Sequence, residues 1–285
     1  MIRIFADSTC DLSAELVERY GITIIPLHIL LGEEEFRDGS ELTPDQIYAW
    51  SDEHNATPKT SAASIEDTMD AMRPVLEAGD EILVFCISES MSTTGNMLRM
   101  AADVLDAEDR VSVFNSKNLS TGIGLLVIAA AEDAAAGKSR EEILEHLREL
   151  RPRVRASFVV DTLTYLHRGG RCSSVAALAG GVLKLHPRIV VEDGAMHADK
   201  KYRGKTNLVI LNYVKDMEEA LKNAVPDRVF ITHSGVDAEV TGQVREYLES
   251  LGRFREILVT RAGGVISSHC GPGTLGVLFI AGEEA

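Results

Sequence analysis

The sequence is poor in cysteine and in positive charge. Its four cysteines, Cys10, Cys86, Cys172 and Cys270, are far apart and include no CxxC pair, which argues against a disulfide framework and against a structural zinc site. Free, buried thiols in a reducing compartment are expected instead. Basic residues number 29 against 44 acidic ones, for a formal net charge of -15 at pH 7, whereas a nucleic-acid partner would require a basic face.

Long apolar runs are also missing. No segment approaches the roughly 20 residues needed to span a bilayer, so no integral membrane segment is expected. The first residues, 2–6, have the pattern of a strand rather than of a signal peptide. Hydrophobic residues nevertheless make up 45% of the chain, which is enough for a substantial core. These features predict a cytoplasmic protein.

Strand and helix patterns alternate in the first half of the chain. Short, continuous apolar runs of this kind are typical of strands covered on both faces, and they occur at 2–6, 22–31, 82–87 and 111–114. Helix starts lie between them. Asp11 is expected to cap the first helix, which Gly21 ends. Capping residues predict further helix starts after Thr43, Ser64 and Ser139.

The second half is less regular. Helical stretches are predicted near 207–224 and 237–251, and strands at 157–160, 188–191, 229–232, 257–260 and 275–280. The pattern predicts an α/β protein with two α/β domains. The first, residues 1–153, would contain an open, mainly parallel sheet, and the second, residues 154–285, mixed or antiparallel strands.

Hydroxyl side chains collect after the predicted strands of the first half. In an open α/β sheet, ligands bind beyond the carboxyl ends of the strands, and hydroxyl and backbone N–H groups there suit a small anionic head group. Helix capping and turns are the commoner role of any one such residue. The densest segments contain Thr60, Ser61, Ser88, Ser90, Ser92, Thr93 and Thr94.

Two further clusters combine glycine with residues that bind anions. His269 lies beside a Gly-Pro-Gly sequence, where the backbone can approach a ligand closely. Arg171 and Arg203 each adjoin glycine, and such arginines often meet phosphate or carboxylate. A structural histidine and solvated turns are the alternative interpretations of these residues.

Sequence motifs typical of catalytic, phosphate-binding and metal-binding sites are absent. The sequence contains no G-x-S-x-G nucleophile elbow, no phosphate-binding G-x-x-x-x-G-K-[ST] loop and no H-E-x-x-H metal motif. The residues therefore favour a binding protein that has no catalytic residue, no metal and no cofactor of its own.

Six segments in order along nearly the whole chain resemble the DegV family, the fatty-acid-binding subunits of bacterial fatty acid kinase. They read DSTCDL at 7–12, PKTSAAS at 58–64, ISESMSTT at 87–94, FNSKNLSTGIG at 114–124, VDTLTYLHRGGRCS at 160–173 and SSHCGPGTLG at 267–276. Each segment alone is a modest match, and the six together in this order are specific.

This resemblance implies a long-chain fatty acid buried in the protein, with the head-group site in the first domain and the second domain completing the acyl pocket. Thr60 and Ser92 match the residues that hold the carboxylate, and His269 matches the histidine that assists them, with Ser61 and Thr93 beside them. It also implies a separate, ATP-dependent kinase subunit as partner. The arginines near the mouth, which would face phosphate or that subunit, match Arg171 and Arg203.

The sequence departs from the family pattern at several positions. Ala62-Ala63 replaces the usual Gln-Pro, Thr93-Thr94-Gly95 follows Ser92 in place of Gly-Thr-Tyr, and Asn115 replaces Asp. These changes retain the two key hydroxyls and bear on acyl-length preference and on the shape of the entrance. The alternative function is an enzyme acting on a small anionic metabolite at the same site. A long apolar tunnel behind Ser92 would favour the lipid, and a short polar pocket the metabolite.

Overall fold

The computed structural model describes residues 1–172 and 185–283. Ser173, at the end of the segment 160–173, therefore lies outside the described residues. The strands are β1 Ile2–Asp7, β2 Thr23–Ile25, β3 His28–Leu31, β4 Glu34–Arg37, β5 Lys59–Ser61, β6 Glu81–Cys86, β7 Val111–Asn115, β8 Val154–Val159, β9 Leu185–Glu192, β10 Ala195–Arg203, β11 Ala224–His233, β12 Glu256–Arg261 and β13 Leu275–Ala281.

Helices connect and cover these strands. They are α1 Ala14–Tyr20, α2 Pro44–His54, α3 Ile65–Glu77, α4 Thr94–Val104, α5 Thr121–Ala135, α6 Arg140–Leu150, α7 Thr164–Gly169, α8 Thr206–Lys215, α9 Glu218–Lys222, α10 Ala238–Ser250 and α11 Gly264–Cys270. The helix predicted near 207–224 is thus two helices, α8 and α9, which meet at Asp216 and Met217.

The first sheet is fully parallel, in the order β2-β1-β6-β7. The second has the order β10-β9-β8-β13-β11-β12 and is antiparallel except between β11 and β12. Both predicted sheet types are therefore confirmed, as is the α/β fold class. The strands of the two sheets lie on either side of residue 153, and the division into two domains there stays a prediction.

Helix α5 lies between the two sheets. It contacts β1 and β6 on one side and β8 and β13 on the other. Its sequence is apolar on every side, and it is buried along nearly its whole length, as expected for a helix covered all round. One hydrophobic cluster consequently runs from the first sheet through α5 to the second. All four cysteines are buried, as predicted, and Cys10, Cys86 and Cys270 are free thiols.

A small third sheet, β4-β3-β5, was not predicted. The apolar run 22–31 forms two strands, β2 and β3, in different sheets, with Pro26 between them. Proline has no N–H to donate to a ladder, so the parallel strand ends at Ile25 and the chain turns into the antiparallel sheet. Its outer strand β5 carries Thr60, opposite Ile29 of β3.

Most predicted helix caps are confirmed. Thr43 and Ser139 form capping boxes, and Ser64 accepts a hydrogen bond from the backbone of Asp67. The prediction for Asp11 is wrong, because Ser13 caps α1 and Asp11 adopts a left-handed conformation before it. The carboxylate of Asp11 instead bonds to a distant part of the chain.

Candidate functional site

A cavity of about 460 Å³ lies where β5, the loop after β6 and α11 meet. We call it the first cavity. The polar side chains Ser61, Glu89, Ser90, Thr93 and Arg171 line it and are exposed, so they mark its opening. Its size is within the range of small-molecule binding sites.

Apolar side chains form the inner wall of the first cavity. They come from five separate parts of the chain and all are buried: Leu27, Ile87, Met91, Leu119, Met196, Val265, Ile266 and Cys270. Between this wall and the exposed opening lie the half-buried side chains of Thr60, Ser92 and His269. The cavity is therefore polar at one end and apolar at the other.

Thr60 and His269 are in direct contact. Strand β5 places Thr60 beside α11, which carries His269 in its last turn. The Thr60 hydroxyl lies 2.8 Å from Nε2 of His269. The structure therefore brings these two predicted residues together through a hydrogen bond.

The imidazole of His269 is held in its neutral form. Burial and, to a smaller extent, the positive charge of Arg171 lower its pKa to about 4. Its other nitrogen, Nδ1, is buried without a hydrogen-bond partner among the described residues. Gly169 at the end of α7 faces this nitrogen so closely that a Cβ there would lie 2.4 Å from it.

Two buried carboxylates anchor the start of α11. Asp11 accepts a hydrogen bond from the Gly263 N–H at 2.8 Å, and Asp38 accepts one from the Gly264 N–H at 2.7 Å. Burial raises the pKa of Asp11 to about 8 and also raises that of Asp38. These bonds give Asp11 and Asp38 a structural role, which positions the helix that carries His269.

Ser92 lines the first cavity at the start of α4. Its hydroxyl lies 2.9 Å from that of Thr94 and accepts a hydrogen bond from the Thr94 N–H at 3.2 Å. When the Thr94 hydroxyl donates to Ser92, the Ser92 hydroxyl proton is left to bind a ligand. Ser61 and Thr93 stand at the opening beside it.

The predicted arginines have different positions. Arg171 lines the cavity and donates to the Gly169 carbonyl at 2.7 Å. Arg203, at the end of β10, is exposed and is not among the residues that line the cavity. Arg168 donates to the hydroxyl of Thr57 at 3.0 Å. The structure therefore brings one of the two predicted arginines, Arg171, to the site.

Several hydroxyls after the strands serve the fold rather than the cavity. The buried Ser88 hydroxyl donates to the Gly194 carbonyl at 2.7 Å, and the hydroxyl of Ser90 bonds to the same oxygen. Ser120 donates to Asp11 at 2.5 Å, and Thr121 pairs with Thr232 at 2.7 Å. The hydroxyls of Ser88, Ser120 and Thr121 therefore have a structural role, through bonds between distant parts of the chain rather than through helix caps.

The apolar lining was missed by reasoning from the sequence. Leu27 and Met196 show no local pattern that distinguishes them from other core residues, since only the tertiary fold brings them to the cavity. Behind the inner wall is a second void of about 30 Å³, which shares Leu119, Ile266 and Cys270 with it. These three side chains separate the two spaces.

Within residues 1–172 and 185–283, no group of three or more His, Cys, Asp or Glu side chains is arranged to hold a metal ion. None of the helices described there is long and apolar enough to cross a bilayer.

Comparison with known proteins identifies close structural relatives. The chain is similar to a Thermus thermophilus DegV family protein described by its fatty acid binding, with 33% identity, a TM-score of 0.88, and coverage of 98% of this chain and 99% of that one. A stearic-acid-binding protein from Eubacterium ventriosum is 30% identical, with a TM-score of 0.85 and coverage of 99% and 98%.

Sequence relatives agree with the structural ones. A DegV domain-containing protein of Deinococcus radiodurans is 32% identical over 280 residues, which span 97% of both chains. A family model described as "Uncharacterised protein, DegV family" matches residues 1–282. The resemblance inferred from six short segments thus extends over the full fold, and the chain belongs to the DegV family.

Proposed function

We propose that this protein binds one long-chain fatty acid in the first cavity, with the carboxylate at the opening and the tail against the apolar wall. A separate ATP-dependent kinase then phosphorylates the presented acid, in the cytoplasm, and the chain itself performs no chemistry. The single observation that carries the proposal is the division of one cavity into a hydroxyl and imidazole end and a buried apolar end. The fatty acids named for its Thermus and Eubacterium relatives support it.

The energetics favour a lipid over a small polar ligand. Each buried methylene contributes roughly 0.8 kcal/mol, so a tail of about 16 carbons supplies on the order of 10 kcal/mol before ordering costs. The head group then needs only satisfied hydrogen bonds. A small anionic metabolite, the alternative substrate of an enzyme at this site, would leave the apolar wall in contact with water.

Neutral groups are well suited to hold a carboxylate that must react. In the tautomer of neutral His269 that carries its proton on Nε2, the Nε2–H donates to the Thr60 oxygen, and the Thr60 hydroxyl proton is then free to point into the cavity. The Ser92 hydroxyl is the second donor. A buried guanidinium pair would cost desolvation and would occupy the carboxylate oxygens, whereas two hydroxyls leave a lone pair accessible to a phosphoryl group.

Native mass spectrometry of the purified protein tests the binding step. We expect one retained fatty acid per chain, and we expect the Thr60→Val, Ser92→Ala double variant to lose it while remaining folded. Ser250→Ala removes an exposed hydroxyl that does not line the cavity, and this variant should retain the acid. A double variant as fully occupied as the unmodified protein contradicts the head-group assignment.

Presentation to a kinase is a separate step with a separate test. A mixture of the loaded protein, a bacterial fatty acid kinase subunit, ATP and magnesium should form acyl phosphate, and either protein alone should not. Arg171, exposed at the opening, is the residue proposed to face the phosphate or the kinase, and Arg171→Ala should lower the rate without emptying the cavity. Arg203 is exposed at the end of β10 and does not line the cavity. The Arg203→Ala variant tests this second arginine in the same assay. Product formation by the loaded protein alone would instead support the enzyme alternative.

A further inference from the structure

A second large cavity lies where the second sheet divides. Its volume is about 620 Å³, and we call it the fork cavity. Strand β8 pairs with β13 from Val154 to Val159, but it pairs with β9 only over 157–159. The two strands diverge beyond that point, and residues 154–156 line the cavity. Their edge toward β9 has no ladder partner among the described strands.

One wall of the fork cavity is cationic. Arg148 of α6, Arg151 just after it and Arg155 of β8 all line it. Arg151 donates to the Asn115 carbonyl at 3.0 Å and Arg155 to the Pro152 carbonyl at 2.8 Å. None of the three has a carboxylate partner in the part of the chain that the structure describes. Three arginines without acids are notable in a chain with a net charge of -15.

The other lining residues include three acids, of which Asp199 and Asp193 have basic partners, since Asp193 lies 3.9 Å from the Lys117 ammonium. Asp199 forms a two-point ion pair with Arg188, and Glu192 lies 3.4 Å from His197. The arginines on the α6 and β8 wall are therefore the charged groups of the cavity that still lack a partner of opposite charge among the described residues. The floor between the walls is apolar and includes Val190 and Phe279.

We propose that the fork cavity binds a short, extended, acidic peptide segment of a partner protein, which adds as a strand to the open edge of β8. Two features carry the proposal independently. At Arg155 and Ala156 the edge has no ladder bond toward β9 among the described strands, and an added strand can satisfy main-chain N–H and C=O groups there. The N–H of Val154 already donates to the Arg151 carbonyl. The arginines offer charge-assisted hydrogen bonds to carboxylates on alternate residues of that strand. The segment's remaining side chains meet the apolar floor.

Fluorescence anisotropy with a labelled peptide Glu-Val-Glu-Val-Glu-Val tests this proposal on the full-length protein. We expect saturable binding that weakens with added salt. Arg148→Glu and Arg155→Glu should each weaken it about threefold or more, and together about tenfold or more. Arg73→Glu makes the same charge change on α3 at an exposed arginine outside the cavity and should leave the affinity unchanged. Arg148→Gln and Arg155→Gln provide milder variants should the charge reversals unfold.

Two comparisons distinguish strand addition from simple charge attraction. The same peptide methylated on alternate backbone nitrogens should bind much more weakly, and Lys-Val-Lys-Val-Lys-Val should not bind. The proposal would be overturned if the methylated peptide bound as tightly as the unmethylated one. It would also be overturned if Arg73→Glu weakened binding as much as Arg148→Glu or Arg155→Glu, or if inorganic phosphate at matched charge displaced the peptide completely. The fatty acid retained in native mass spectra should be unchanged in Arg148→Glu and Arg155→Glu, which separates this site from the first cavity.

Discussion

The Thr60 hydroxyl lies 2.8 Å from Nε2 of His269 although the two residues are 209 positions apart in the sequence. The contact joins β5 of the small third sheet to α11, which leads into the last strand of the second sheet. Any change that moves α11 relative to β5 therefore changes the polar end of the first cavity.

Thr60→Val and His269→Ala should weaken fatty acid binding by similar amounts, about tenfold each, as expected for the loss of a hydrogen bond to a charged group. The double variant should be only slightly weaker than either single one, because His269 acts by orienting the Thr60 hydroxyl. Competition with a fluorescent fatty acid measures all four affinities. Fully additive losses would show that the two residues bind the acid independently.

Gly169→Ala should also weaken binding. The new Cβ would lie 2.4 Å from Nδ1 of His269, so the ring must shift or rotate, and its hydrogen bond with Thr60 at Nε2 is disturbed. Gly169 is not among the residues with positive φ, and a loss of affinity would therefore report the contact rather than backbone strain. Gly242→Ala, where a Cβ meets nothing within 4 Å in helix α10, is the control, and an equal effect of both substitutions would contradict the prediction.

His269 should make the protein less stable at acid pH. Its pKa is about 4 in the folded protein against an ordinary value of 6.5, so the unfolded chain binds the proton more readily. Its contribution to the free energy of unfolding is constant above that ordinary value and falls as the pH drops from there toward 4. Urea titrations should show His269→Asn gaining on the order of 2 kcal/mol relative to the unmodified protein between about pH 7 and pH 4.5. If the difference in the free energy of unfolding between His269→Asn and the unmodified protein did not change with pH, the lowered pKa of His269 would be contradicted.

The contribution of Asp11 to stability depends on pH in the opposite direction from that of His269. Its pKa is raised from 3.8 to about 8 by burial, so its contribution to stability is fully present below the ordinary value and is lost as the pH rises toward 8. Asp11→Asn should therefore gain stability relative to the unmodified protein, by on the order of a few kcal/mol between about pH 4 and pH 8. The amide oxygen can still accept from the Gly263 N–H, and the Ser120 hydroxyl can accept from the amide nitrogen. Thermal melts across this pH range test the prediction, and a variant that loses stability at every pH would contradict it.

The parallel sheet could be predicted because its strands are buried on both faces. A strand such as 82–87 is then apolar without interruption, and this local signal survives whatever the rest of the chain does. Capping residues such as Thr43 are similarly local, since the bonds they make lie within one helical turn. The same reasoning failed for Asp11, because its partner Gly263 is 252 positions away.

The candidate site could be predicted only in part for the same reason. The segments 58–64, 87–94 and 267–276 indicated Thr60, Ser92 and His269 through the family resemblance. The bond between Thr60 and His269 depends on the third sheet, and β4 and β5 of that sheet are too short to give a periodic signal. Serines that hold the fold together, such as Ser88, and serines that line the cavity, such as Ser92, also look alike until the fold separates them.

Ile266→Ala should shift the bound fatty acids toward longer chains. Ile266 lines both the first cavity and the small void behind it, so shortening this side chain joins the two spaces and lengthens the apolar end. Ile143→Ala removes a buried side chain of α6 that lines neither space, and it should lower stability by a comparable amount, roughly 2–5 kcal/mol, without changing the ligand. Native mass spectrometry after incubation with an equimolar mixture of saturated acids reports the preference of each variant. The same mass distribution in Ile266→Ala as in the unmodified protein would show that the acyl tail ends short of this residue.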